Sequence, residues 1–174
     1  MTAAGWLDTK DAARLIRKDL KRAFPSTTFR VRISRYSGGS SIDVTWTDGP
    51  TRALVKPITD YYQGHDFDGM QDLQTSRDPI TVEGQQVRTG CYVFEHRELS
   101  DALVARVIAA LGDYYHAPEH RRPTVADYRA GKVWNRSPLI DGRTGEPCTE
   151  RHWSWEELIR RAAEDRTECH REEI

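Results

Sequence analysis

The chain has 174 residues, of which 37% are hydrophobic and 30% charged, with a formal net charge of −1. That length suits one ordinary domain with a small appendage, and the composition excludes both a disordered chain and a uniformly basic nucleic-acid coat. No apolar run nears the roughly 20 residues a bilayer requires, and the opening Met1-Thr-Ala-Ala-Gly-Trp-Leu-Asp8 lacks the charged and apolar regions of a signal peptide. Three widely spaced cysteines (Cys91, Cys148 and Cys169) fit a reducing compartment, so a cytoplasmic protein with no membrane partner is expected.

Charge is unevenly spread. Residues 10–35 carry nine basic side chains against Asp11 and Asp19, a balance of +7, whereas residues 60–101 hold nine acids against three arginines, a balance of −6. Such asymmetry predicts an electrostatically directed surface, or acids folded against a solvated basic helix. In chain order, Thr9 is placed to cap a helix on which Ala12, Leu15, Ile16, Leu20, Ala23 and Phe24 recur at helical spacing until Pro25. Its other side carries Lys10, Arg14, Arg17, Lys18, Lys21 and Arg22.

Phe29, Val31 and Ile33 alternate with Arg30, Arg32 and Ser34, and Ile42, Val44 and Trp46 alternate with Asp43, Thr45 and Thr47. The Ser37-Gly-Gly-Ser40 link predicts a hairpin between these two strands, because glycine supplies the positive φ of such turns. Pairing sets Arg30 and Arg32 on the same face as Asp43 and Thr45, which could neutralise some of them across the ladder. Pro50, with Asp48 or Gly49 as cap, opens a helix that Pro57 shortens or kinks. Residues 63–70 read as a loop in which Asp68-Gly69 turns and Phe67 and Met70 pin the chain to the core. A second hairpin spans 80–95, turning at Glu83-Gly84. Ser100 caps a helix to Tyr115. Beyond His116, prolines break the chain into a brief helix over 124–130, an irregular stretch, and a helix from Ser154 with the capping box Ser154-Trp-Glu-Glu157.

Two hairpins interleaved with helices predict an α+β fold: a four-stranded, mainly antiparallel sheet with helices on one face, which leaves the other face partly open. The domain is expected over 9–116, with a mainly helical C-terminal extension over 117–174.

The blocks Arg35-Tyr-Ser-Gly-Gly-Ser-Ser-Ile-Asp-Val-Thr-Trp-Thr-Asp-Gly-Pro-Thr51, Phe67-Asp-Gly-Met70 and Tyr92-Val-Phe-Glu-His-Arg-Glu-Leu-Ser100 resemble the large polyvalent protein-associated domain numbered twenty-nine, over about residues 9–115. That resemblance implies a setting in phages, plasmids or integrative elements, often as one module of a very long chain. It implies no particular reaction.

No catalytic set stands out. Cys148-x-x-x-His152, Cys169-His170 and His116-x-x-x-His120 supply zinc ligand types without the tight paired spacing of a structural site, so they read as surface histidines and an incidental thiol. His65, Asp66, Asp68 and Asp72 could hold a divalent cation for an enzyme acting on nucleic acid, but lack the twelve-residue calcium pattern; turn formation is the stronger account of them. Cys91 reads as a small core residue. No metal and no cofactor are expected.

Nucleic acid is the best-supported partner. Arg30 and Arg32 share a strand face, while Arg88, Tyr92, Phe94 and His96 share one parity and Val87, Cys91 and Val93 the other. One choice of parity puts Tyr92 and Phe94 on the open face beside the arginines, where bases stack and cations meet phosphates; the other buries them. Arg14, Arg17, Lys18 and Lys21 could grip phosphate independently. Trp134, Trp153 and Trp155 in the polar tail could anchor a host or phage protein, or pack back as core. The expected function is a non-enzymatic accessory or counter-defence module of a phage or plasmid, binding nucleic acid or a host protein. Its alternatives are the metal-dependent enzyme and a dimerisation domain built on the Trp-rich tail.

Overall fold

The structure, a computed structural model, describes residues 4–68, 70, 73–141, 145–148 and 153–164. Its contacts divide the chain into two compact units after Glu98. The sequence reading set its boundary at 116, one helix further on.

The first unit is built on an amphipathic helix and a twisted three-stranded sheet. Asp8, rather than Thr9, caps helix α1 (Thr9–Ala23) by accepting from the Lys10 amide at 2.7 Å. Thr9 is freed by that one-residue offset to bond Ser40 through its hydroxyl at 2.6 Å. Strands β2 (Arg30–Tyr36) and β3 (Gly39–Thr47) form the expected antiparallel hairpin, with Gly38 at φ 90° in its turn. Their odd and even positions separate, although Ser41 on the opposite face is also buried. Val31, Ile42, Val44 and Trp46 are buried against Ala12, Ala13, Ile16 and Leu20 of α1, and Val55 of helix α2 (Arg52–Asp60) joins the same core. Burying this apolar stripe on one sheet face provides the main stabilisation of the unit.

Asp48 and Gly49, both at positive φ, turn the chain after β3 instead of capping the helix, and Thr51 occupies the cap position. The indole of Trp46 fixes that turn by donating to the Pro50 carbonyl at 2.9 Å. Pro57 lies inside α2.

One four-stranded sheet is not what forms. The described residues carry sheets of three, three and two strands, mostly antiparallel. β8 (Cys91–Glu98) pairs parallel with β3, giving the order β2–β3–β8. β6 (Ile80–Val82) and β7 (Gln85–Thr89) make the second expected hairpin, turning through Glu83 and Gly84 at φ 50° and 80°. A short β1 (Gly5–Leu7) then adds parallel to β7. The expected long strand therefore divides at Gly90, its two halves serving different sheets. Residues 63–70, expected as loop, contain β4 (His65–Asp68), which pairs with β5 (Leu73–Ser76) as a ribbon. Met70, expected to pin that segment to the core, is fully exposed; Gly69, Asp72 and the Phe67 and Asp68 side chains lie outside the described residues.

The second unit opens with α3 (Asp101–Tyr114), capped as expected by the Ser100 hydroxyl, which accepts from the Leu103 amide at 3.1 Å. α4 (Val125–Arg129) carries a capping box between Thr124 and Asp127. Ser154 accepts from the Glu157 amide at the start of α5 (Trp155–Glu164). Leu103, Val104, Val107, Ile108, Val133, Trp155 and Ile159 form its core. Among the described residues no helix is long and apolar enough to cross a membrane.

Candidate nucleic-acid interface

Helices α1 and α2 cover one face of β2–β3–β8, and strand alternation sends every second side chain to the other. Thr89 and Cys91 settle the parity of β8. Both side chains reach the Tyr62 carbonyl, the hydroxyl at 3.0 Å and the thiol at 3.8 Å, so they and Val93 point into the core. Tyr92, Phe94 and His96 consequently project from the open face.

Register then assembles three rows across that face. Ser34 lies beside Ser41 and Tyr92, Arg32 beside Asp43 and Phe94, and Arg30 beside Thr45 and His96. The Tyr92 and Phe94 rings are nearly parallel, 11° apart with centroids at 6.2 Å, and Phe94 is 46% exposed. His65, from β4, sets its ring 5.6 Å from Tyr92. The expected neutralisation across the ladder does not occur. Asp43 accepts from the Ser34 hydroxyl at 3.4 Å and lies 3.5 Å from His96 Nε2, while Arg30 and Arg32 have no hydrogen-bond or ion-pair partner among the described residues. Two exposed guanidinium groups thus share the open face with a stacked aromatic pair, across β3 from it.

The helix cations are placed differently. α1 packs on the covered face, so its basic side and the open sheet face do not form one surface. Arg14 pairs with Asp11 at 3.2 Å, Arg17 donates to the Val31 carbonyl at 2.6 Å on the edge of β2, and Lys21 donates to the Pro25 carbonyl at 2.8 Å. Lys18 alone of the four cations singled out there is unengaged among the described residues. The Arg17 contact caps an edge-strand carbonyl, which suits a structural duty.

Tail tryptophans divide as well. Trp155 is fully buried in the second core, Trp153 is half-buried, and Trp134 is 57% exposed. The three do not make one apolar patch, because Trp155 is spent on packing.

Among the described residues neither chemical alternative gathers a site. His65 and Asp66 are adjacent on β4 and point to opposite sides. Arg77 takes Asp66 at 2.6 Å and Asp60 at 3.2 Å, and its hydrogen bond holds the Asp66 carboxyl below the ordinary range. These groups line a surface cavity of about 660 Å³ with Tyr61, Gln63 and Asp78, its cation and two of its carboxylates already mutually satisfied. Among the described residues no three His, Cys, Asp or Glu side chains are grouped to hold a metal. His116 and His120 are exposed, and His152, Cys169 and His170 lie outside the described residues.

Cys91 is a core residue. Burial pushes its thiol from 9.0 up to about 11, so the folded chain holds this proton more tightly than the unfolded one. The stability it contributes is whole below about pH 9 and is lost as pH rises from there towards about 11. Iodoacetamide at mildly alkaline pH is expected to leave Cys91 unmodified in the folded protein and to label it in urea, read by peptide mass spectrometry. Fast labelling of the native thiol contradicts this placement.

Residues 7–100 match the family model of the large polyvalent protein associated domain 29. The match ends at Ser100, beside the division between the two compact units. No curated protein and no solved structure matches the chain.

Proposed function

This chain belongs to the family of the large polyvalent protein associated domain 29, and from that premise we propose that it is a non-enzymatic accessory module of a phage or plasmid that binds single-stranded nucleic acid on the open face of β2–β3–β8. The observation that carries this reading is the nearly parallel Tyr92–Phe94 ring pair, across β3 from Arg30 and Arg32, which have no hydrogen-bond or ion-pair partner among the described residues. Stacking of bases on exposed rings, with cations against phosphates, is the physical scheme of proteins that hold single strands. Duplex offers its phosphates but not its base faces, so single strands are the preferred ligand.

The test is fluorescence anisotropy of labelled single- and double-stranded oligonucleotides titrated with salt. Binding is expected to weaken steeply with salt, with a log–log slope that falls by about two units in the Arg30→Glu/Arg32→Glu variant together with most of the affinity. A variant that binds like wild type at every salt concentration removes the two arginines from the interface.

A further inference from the structure

The aromatic surface does not stop at Tyr92. Because Thr89 and Cys91 both point to the Tyr62 carbonyl, the alternation of β8 continues unbroken through Gly90 into β7. The missing side chain of Gly90 therefore lies on the same side as Tyr92 and Phe94. That space holds Trp6: a Cβ on Gly90 would sit 2.5 Å from the Trp6 ring. One step back from the Ser40–Cys91 pair, Gly39 is arranged alike, its vacant position only 3.0 Å from the ring of Tyr36, its partner across the hairpin.

Two glycines at neighbouring positions of β3 and β8 are thus each overlaid by an aromatic ring. Covering a glycine occupies only one face of a ring, and Trp6, 70% exposed, and Tyr36, 51% exposed, keep the rest of theirs in water. Arg88, opposite Trp6 in the β1–β7 register and exposed, adds a positive charge there while donating to the Arg77 carbonyl at 3.3 Å. From His96 to Arg88 the strand runs about 26 Å at its usual rise, which is long enough for a strand several nucleotides in length.

We propose that Trp6 and Tyr36 form a second stacking platform, so that the site holds a continuous single-stranded segment of at least about four nucleotides, spread from Phe94 and Tyr92 at one end to Tyr36 and Trp6 at the other. This inference rests on the reading of the open face as a nucleic-acid interface. It adds a ligand length, and residues from two strands, β1 and the end of β2, that the Tyr92–Phe94 pair does not involve.

The experiment compares the full chain with Trp6→Ala, Trp6→Phe and Phe94→Ala on labelled oligothymidylates of about three and about ten nucleotides. Trp6→Ala is expected to bind the long oligomer about tenfold more weakly and the short one unchanged, while Trp6→Phe recovers most of the loss because a ring is restored. A merely structural role for Trp6 affects both lengths alike, and that result overturns the proposal. If Trp6→Ala matches wild type on both while Phe94→Ala loses binding, the second platform is overturned and the central site stands. If wild type binds neither oligomer, the interface reading fails and this inference fails with it.

Discussion

Replacing Tyr92 and Phe94 together by alanine is expected to weaken binding of a single-stranded oligonucleotide by about 100-fold and to leave the fold in place. Phe94 is 46% exposed and Tyr92 half-buried, and alanine substitution at such a platform costs about 1–3 kcal/mol per stacked base. Two platforms at about 1.4 kcal/mol each, in the lower half of that range, give the stated loss, at about tenfold for each 1.4 kcal/mol. The fold survives because β8 is anchored from its other side. Cys91 and Val93 are buried among Ile42, Val44 and the α1 residues, and the parallel ladder to β3 runs the length of the strand. Affinity for duplex of equal charge changes little, since Arg30 and Arg32 remain. Anisotropy supplies the affinities and a thermal melt the control; undiminished single-strand binding by a folded double variant removes base stacking from the account.

Trp46→Ala is expected to produce the largest loss of stability in the first unit, about 4 kcal/mol. Its indole is 2% exposed and stands 5.5 Å from the Phe29 ring, so truncation leaves a cavity that the sheet cannot close. The Pro50 carbonyl also loses its donor, which adds about 1 kcal/mol when that oxygen stays shielded. Against a typical domain stability of about 5–15 kcal/mol this is a substantial fraction. Trp46→Phe restores much of the volume but not the hydrogen bond, and falls between. Urea denaturation measures both; a loss below about 1 kcal/mol for the alanine variant contradicts the central position assigned to this side chain.

Local chemistry made both hairpins legible. Gly38-Gly39 and Glu83-Gly84 announce turns, and the alternation of Val31, Ile33, Ile42, Val44 and Trp46 assigns a buried face without any knowledge of partners. Helices α3 and α5 were equally readable from their periodicity and caps, and α1 from its periodicity, although its cap lies one residue earlier than expected. What stayed hidden is non-local. No short-range signal says that β8 pairs parallel with β3, about fifty residues earlier, instead of extending its own hairpin. Gly90 marks the place where the chain passes between sheets, but a lone glycine in a strand also reads as a bulge. His65-Asp66-Phe67-Asp68 reads as a turn because acids and glycine dominate it, and only its ladder to Leu73–Ser76 makes it a strand.

The site was half-visible for the same reason. Alternation tied Tyr92, Phe94 and His96 to a single face and tied Arg30 to Arg32, yet two parities fitted the sequence equally. The Tyr62 carbonyl, contributed by the segment after α2, decides between them. Trp6 was missed altogether, since a three-residue strand at the start of the chain carries no periodicity. The signal that could have found it is Gly90 itself, a residue that leaves room for a neighbouring ring. Charge misled in the opposite direction: the dense cations of α1 drew attention, and the fold commits Arg14, Arg17 and Lys21 to internal partners while Arg30 and Arg32 have none among the described residues.

The most direct test of the open-face account is an amide and aromatic NMR titration of the isotopically labelled full chain with a short oligothymidylate. The account predicts shifts concentrated at Arg30, Arg32, Tyr92, Phe94 and His96, with the α1 residues Arg14, Lys18 and Lys21 and the buried Trp155 unmoved. Shifts confined to α1 or to the second unit, or none at saturating oligonucleotide, would contradict it.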